Sequence, residues 1–154
     1  MRIVDHNGET GMFKKLFVLM MAAAALGACD TPNVTPPPQP PAPTAPVSYM
    51  AFFDLGSVKL SDQSNQTIAQ AAQVYKTKAN ARIMVTGYAD TVGNPAMNVQ
   101  LSNRRAAVVK DGLVKAGVPA AAISMTGDGE TGLLVNTADQ TNEPRNRRVA
   151  IVIQ

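Results

Sequence analysis

Residues 48–154 predict an α+β fold: a single domain in the order β-α-β-α-β-β, with both helices packed on one face of a mixed sheet. Three observations predict it. Two stretches repeat small or apolar residues at helical spacing, four short runs are dense in β-branched or aromatic residues, and glycine or proline stands at most of their ends. Two long crossovers between strands imply right-handed connections and a partly parallel sheet. Roughly 105 residues can bury one modest core without a disulfide.

The elements follow in order. "SYMAFFDLGS" reads as a first strand running into a turn at Asp54 and Gly56. Ser61 then N-caps a helix to about Thr77, in which Ile68, Ala72 and Tyr75 recur at i, i+4 and i+7. "ARIMVTGY" is a second strand ended by Gly87. A longer helix runs from Pro95 to Ala116 and stops at Gly117 and Pro119. "AISMTGDGE" gives a third strand; its glycines lack the lysine and strand-to-helix setting of a phosphate loop. Residues 131–146 read as irregular with one short helical turn, and "RRVAIVI" is the last strand.

Composition excludes several chemistries. The single histidine is His6 and the single cysteine is Cys29, both outside the predicted domain. Ser-His-Asp triads, Cys-His dyads and His/Cys metal sites are therefore ruled out for residues 48–154, and no cofactor motif is present. Paired carboxylates such as Asp54 with Asp90 are the one remaining catalytic option, and their spacing does not demand it. The net charge of +3 comes without a basic patch interleaved with aromatics, which argues against nucleic acid as a partner.

Two charges in "GYADTVGNPAMNVQLSNRRA" stand out. In the second helix Leu101, Arg105, Val108 and Gly112 share one stripe, which turns Arg105 toward the sheet while Arg104 projects away. Asp111 and Lys115 form an exposed i, i+4 pair. Asp90 leaves the carboxyl end of the second strand, where open α/β sheets tend to bind ligands. Two readings stay open: a salt bridge tying loop to helix, or a site for a zwitterion. In the second, Asp90 takes an ammonium and Arg105 grips a carboxylate with its fork.

The N-terminus reads as an address. Residues 1–11 carry two acids and no apolar run, so translation from Met12, or a cloning remainder, accounts for them. Residues 12–28 follow the charged, apolar and small-residue order of an export signal, too short to span a membrane stably. "LGAC" resembles the lipobox of bacterial lipoproteins, which would make Cys29 a lipidated residue and the membrane a partner through that anchor. Asp30 resembles the residue that retains lipoproteins in the inner membrane of enteric bacteria, which leaves both membranes open. Residues 29–47 continue as a proline-rich linker, extended in the polyproline manner, with a reach of about 50 Å.

The blocks "FFDLGS", "GYAD", "NVQLSNRRA", "GVPAAAISMTGDGE" and "NEPRNRRVAIVI" stand in the order and spacing of the OmpA-like C-terminal domain, the OmpA/Pal/MotB family. The resemblance covers nearly all of residues 49–154. With the lipobox and spacer, the chain resembles the peptidoglycan-associated lipoproteins of that family. The resemblance implies a noncatalytic protein of the outer membrane and periplasm that binds peptidoglycan by the diaminopimelate of its stem peptide. Asp90 and Arg105 match the family's principal ligands, and Asp54, Asn98 and Leu101 fall on blocks lining its pocket. Arg145, Arg147 and Arg148 match arginines whose expected role is to tie the last strand to the preceding loop. The family's usual "GHTD" is "GYAD" here, its tyrosine before Asn98 is Met97, and its proline after "GxGE" is absent. The alternative reading is a scaffold of a Tol-like, motility or secretion complex with secondary wall contact.

Overall fold

The computed structural model describes residues 45–154, so the expected export signal, Cys29 and nearly all of the proline-rich linker lie outside the described residues. Four strands and two helices follow in the predicted order: β1 (Val47–Phe52), α1 (Asp62–Thr77), β2 (Ile83–Gly87), α2 (Pro95–Lys115), β3 (Ile123–Gly127) and β4 (Arg148–Ile153). The sheet order is β1-β4-β2-β3. The C-terminal strand β4 inserts antiparallel between β1 and β2, while β2 and β3 pair in parallel. The sheet is mixed, as expected, and β1, β2 and β3 all end at the same pole of the domain.

α1 lies against β1, and α2 against β2 and β3. Ala51, Ile83, Val85, Val149, Ile151 and Ile153 point to the helices and are buried, joined by Ile68, Ala71, Ala72, Val109 and Leu113 from the helices themselves. Each valine, leucine and isoleucine among them contributes about 1.5–3 kcal/mol through burial. On the opposite face, Met50, Phe52 and Met84 remain 40–45% exposed. No helix among the described residues is long and apolar enough to cross a membrane.

The helix ends obey local chemistry. The Ser61 side chain accepts from the Ser64 amide at 3.1 Å, and the Asn94 side chain accepts from the Ala96 amide at 2.9 Å, just ahead of Pro95 at the start of α2. Gly117 takes a left-handed φ of +95° after α2, where its amide and that of Val118 recover carbonyls of the last turn. A 3₁₀ turn at Ala120–Ala122, not anticipated from the sequence, follows Pro119. The short helical turn expected within residues 131–146 is Pro144–Asn146.

α2 presents a different stripe from the predicted one. Its buried residues are Asn98, Ser102, Arg105, Ala106, Val109 and Leu113, whereas Leu101, Val108 and Gly112 are only half-buried. The physical reason lies in the sheet beneath. A Cβ on Gly87 would stand 2.1 Å from the Ser102 carbonyl oxygen, and one on Gly127 would stand 2.3 Å from the Asn103 amide nitrogen. These two glycines pair in register across β2 and β3 and form a saddle into which the backbone of α2 sinks. Small and polar side chains then suit the contact better than leucine does. Asp111 and Lys115 are both exposed, but no ion pair joins them.

Candidate functional site

The saddle places the site. With α2 drawn onto the ends of β2 and β3, Ser102 Oγ donates to the Val99 carbonyl at 2.8 Å and accepts from the Gly129 amide at 2.9 Å. The Ala89 amide donates to the Gly129 carbonyl at 2.7 Å, which fixes the backbone on which Asp90 emerges. Arg105 sits midway along α2, and its side chain reaches the same pole.

Arg105 is wholly buried. Its fork is held by three backbone carbonyls: Nε donates to Ser57 at 2.9 Å, Nη1 to Tyr88 at 3.1 Å and Nη2 to Asp54 at 2.9 Å. The Phe53 ring centroid lies 5.3 Å from its Cζ. Burial is the main influence on its pKa, pulling it down to about 10; the Asp90 carboxylate opposes that shift and Arg147 adds to it. It therefore stays a cation at neutral pH.

Asp90 is 3% exposed, and its partner is not Arg105 but Arg147, whose Nη1 stands 3.0 Å from Asp90 Oδ2. Arg147 also donates from Nε to the Phe53 carbonyl at 3.1 Å and from Nη1 to Asn142 Oδ1. So the direct Asp90–Arg105 salt bridge, one of the two readings of their spacing, does not form. The two groups act on each other through the field, with Arg147 bonded to one and the carbonyls of the segment after β1 bonded to the other. The other Asp90 oxygen, Oδ1, takes part in no hydrogen bond among the described residues.

The secondary candidates divide. Asp54 is exposed, and its carbonyl, not its carboxylate, serves Arg105. Asn98 is buried and spends its side-chain amide on the carbonyls of Asp90 and Val92, at 3.2 and 3.1 Å, and on Glu130 at 3.4 Å. It staples the turn that carries Asp90. Leu101 is half-buried and lines none of the pockets at this pole. Tyr88 supplies a ring over which the Arg148 guanidinium stacks at 4.0 Å, while Arg148 Nη2 donates to the Gly132 carbonyl at 2.9 Å. Burial lowers the Arg148 pKa and Tyr88 opposes that shift.

The irregular segment before β4 is pinned from within. Asn146 makes a two-way bond with the Val135 backbone, both distances being 2.8 Å, and Thr91 Oγ1 donates to the Ala138 carbonyl at 2.7 Å. At the surface, Arg145 and Glu143 form a two-pronged pair with both side-chain distances at 3.0 Å. That hydrogen bonding, first from the Arg145 side chain and then from its backbone amide, lowers the Glu143 pKa to about 2. A depressed acid stabilises the fold above its ordinary pKa of 4.5 and loses that contribution as pH falls toward 2. A carboxyl-carbon NMR titration should accordingly place the Glu143 midpoint well below the ordinary value of 4.5, and an Arg145→Gln variant should return it to the ordinary range.

A pocket of about 410 Å³ opens beside the Asp90–Arg147 pair, lined by Phe52, Phe53, Asp54, Lys59, Ser61, Pro144, Arg145 and Arg147. Its size suits an amino acid or a short peptide segment. Among the described residues no cluster of three or more His, Cys, Asp or Glu side chains is arranged to hold a metal. What the fold and site define is a small α+β domain with a charged, cation-rich candidate site at the carboxyl ends of its parallel strands.

The chain belongs to the OmpA family, whose model it matches over residues 52–147. It is 39% identical over 112 residues to an outer membrane protein of Gluconacetobacter diazotrophicus, a match covering 69% of this chain and 30% of that protein, so the chain spans less than a third of that relative's length. It is 31% identical over 132 residues to the peptidoglycan-associated lipoprotein of Agrobacterium fabrum, covering 86% of this chain and 74% of the relative. The crystal structure of the peptidoglycan-associated lipoprotein from Burkholderia pseudomallei superimposes with a TM-score of 0.64 at 27% identity, covering 69% of this chain and 90% of the other. The predicted fold class and family are therefore both confirmed.

Proposed function

We propose that this chain is a noncatalytic peptidoglycan-binding lipoprotein that ties an envelope membrane to the cell wall by holding the diaminopimelate of the stem peptide. One observation carries the reading. Arg105, Arg147 and Arg148 are all buried at one pole, and Asp90 is the one buried carboxylate among the described residues. Buried cations in excess of buried anions are costly unless an anion joins them. A ligand carboxylate would do so by competing with the Asp54 and Ser57 carbonyls for the fork of Arg105. The ammonium on the same carbon would take Asp90 Oδ1, the oxygen that Arg147 leaves free.

The geometry of attachment favours the same reading. The N-terminal end of β1, where the tether enters, lies at the opposite pole from Asp90 and Arg105. The chain thus enters the domain at the pole away from the site. The names of the relatives, outer membrane protein and peptidoglycan-associated lipoprotein, support an outer-membrane anchor with the domain in the periplasm.

Titration of the isotope-labelled chain with meso-diaminopimelate tests the ligand. Amide shifts are expected at Tyr88 to Asp90, Arg105 and Arg147. 1,5-Diaminopentane, which keeps both ammonium groups but has no carboxylate, should cause much smaller ones. If meso-diaminopimelate leaves these signals unmoved at millimolar concentration, the reading is wrong.

A further inference from the structure

Two pockets at the site pole share Asp54, Lys59 and Ser61: the one beside Arg147, and a second of about 340 Å³ lined also by Leu60 and Asp62. Sharing these residues, they adjoin as one trough that includes Lys59, with more room than one amino acid requires. Of the cations lining it, Arg147 is committed to Asp90 and Arg145 to Glu143. Lys59 is exposed and forms no ion pair. An ammonium in no ion pair, in a trough that also borders Arg147, the partner of Asp90, is placed to read an anion on the next part of the same ligand.

We infer that Lys59 is a specificity-determining residue, which recognises a free carboxylate on the residue adjoining the diamino acid in a wall peptide. The inference rests on the wall-binding reading above. In stem peptides the residue before the diamino acid is joined through its side-chain carboxyl, which leaves an α-carboxyl either free or amidated. The free form presents an anion to Lys59; the amidated form presents none. Lys59 is exposed and its side chain makes no hydrogen bond among the described residues, so replacing it leaves the fold intact. Its flexible stem suits a point-charge contact that tolerates some variation in ligand pose.

The test uses the full chain and two synthetic tripeptides, L-Ala–γ-D-Glu–meso-diaminopimelate with the glutamate α-carboxyl either free or amidated. Wild type is expected to bind the free form about fivefold more tightly, the order expected of one partly screened charge contact. Lys59→Gln should bind both at the affinity wild type shows for the amidated form, and Lys59→Arg should keep the preference. Equal binding of the two peptides by wild type, or an undiminished preference in Lys59→Gln, overturns the inference and leaves the wall-binding reading standing. Failure of wild type to bind either peptide overturns both.

Discussion

Gly87→Ala is expected to destabilise the domain by more than about 4 kcal/mol, a large share of the total stability of a domain this size. The new methyl carbon would stand 2.1 Å from the Ser102 carbonyl oxygen and 2.9 Å from its carbon, both backbone atoms of α2 that no rotamer change can move. The helix must lift, and with it go the Ser102–Gly129 bond and the placement of Arg105 beneath Tyr88. Gly56→Ala is the control. Gly56 has a left-handed φ of +66° but open space around it, so its cost is confined to about 1–2 kcal/mol of backbone strain. Chemical denaturation of the three proteins checks the order: Gly87→Ala far below Gly56→Ala, and Gly56→Ala modestly below wild type. A Gly87→Ala variant as stable as Gly56→Ala would refute the saddle.

Asp90→Ala carries the second large effect. It removes the one buried carboxylate at this pole and leaves Arg147 and Arg105 facing each other's field uncompensated. Breaking a buried pair from one side costs about 3–5 kcal/mol, which for a domain of this size lowers Tm by roughly 15 °C or more. Replacing both partners, as in Asp90→Leu with Arg147→Met, should recover most of that loss, because the desolvation of two charges disappears with the pair. A thermal melt of the single and double variants decides the matter. If the double variant is as unstable as Asp90→Ala, the pair does more than compensate its own burial.

Much of the fold was legible because its signals are local. Ser61 as an N-cap, the Gly117–Pro119 stop and the β-branched density of "ARIMV" each act within one turn or strand, and the structure follows them. The buried stripe of α2 was not legible. Periodicity favours the large apolar residues Leu101 and Val108, while the glycine saddle selects Ser102 and the carbonyls of Asp90 and Val92 hold Asn98, and that saddle exists only once β2 and β3 have paired. Asp90 and Arg105 announced themselves as charges in unusual places, at a strand end and on a sheet-facing helix side. The partner of Asp90 gave no such sign. Arg147 lies 57 residues further along, and only the insertion of β4 beside β2 brings it there. The run "NRRV" just before an apolar strand was the one hint that cations enter the interior. The expectation that these arginines tie the last strand to the preceding loop matches the Arg147–Asn142 and Arg148–Gly132 bonds; Arg147 reaches Phe53 and Asp90 as well, while Arg145 bonds only Glu143.

The departures from the family pattern also take on physical meaning. Ala89 is wholly buried, so the hydroxyl missing there leaves no hole in an exposed rim. Tyr88 gives the Arg148 guanidinium a ring to stack on, in a place where two of its nitrogens find no hydrogen-bond partner. Stacking of this kind contributes about 0.5–2 kcal/mol and offsets part of the cost of burying the charge.

The central claim is that Asp90 and Arg105 hold the wall rather than merely holding the fold. Sedimentation of the full chain with purified sacculi tests it most directly, using Asp90→Asn and Arg105→Lys so that size and burial are disturbed as little as the chemistry allows. Thermal melts run alongside must show both variants folded at the assay temperature. Wild type is predicted to sediment with the sacculi while the two folded variants stay in the supernatant. Folded variants that sediment as fully as wild type would contradict the account and leave both residues as structural charges.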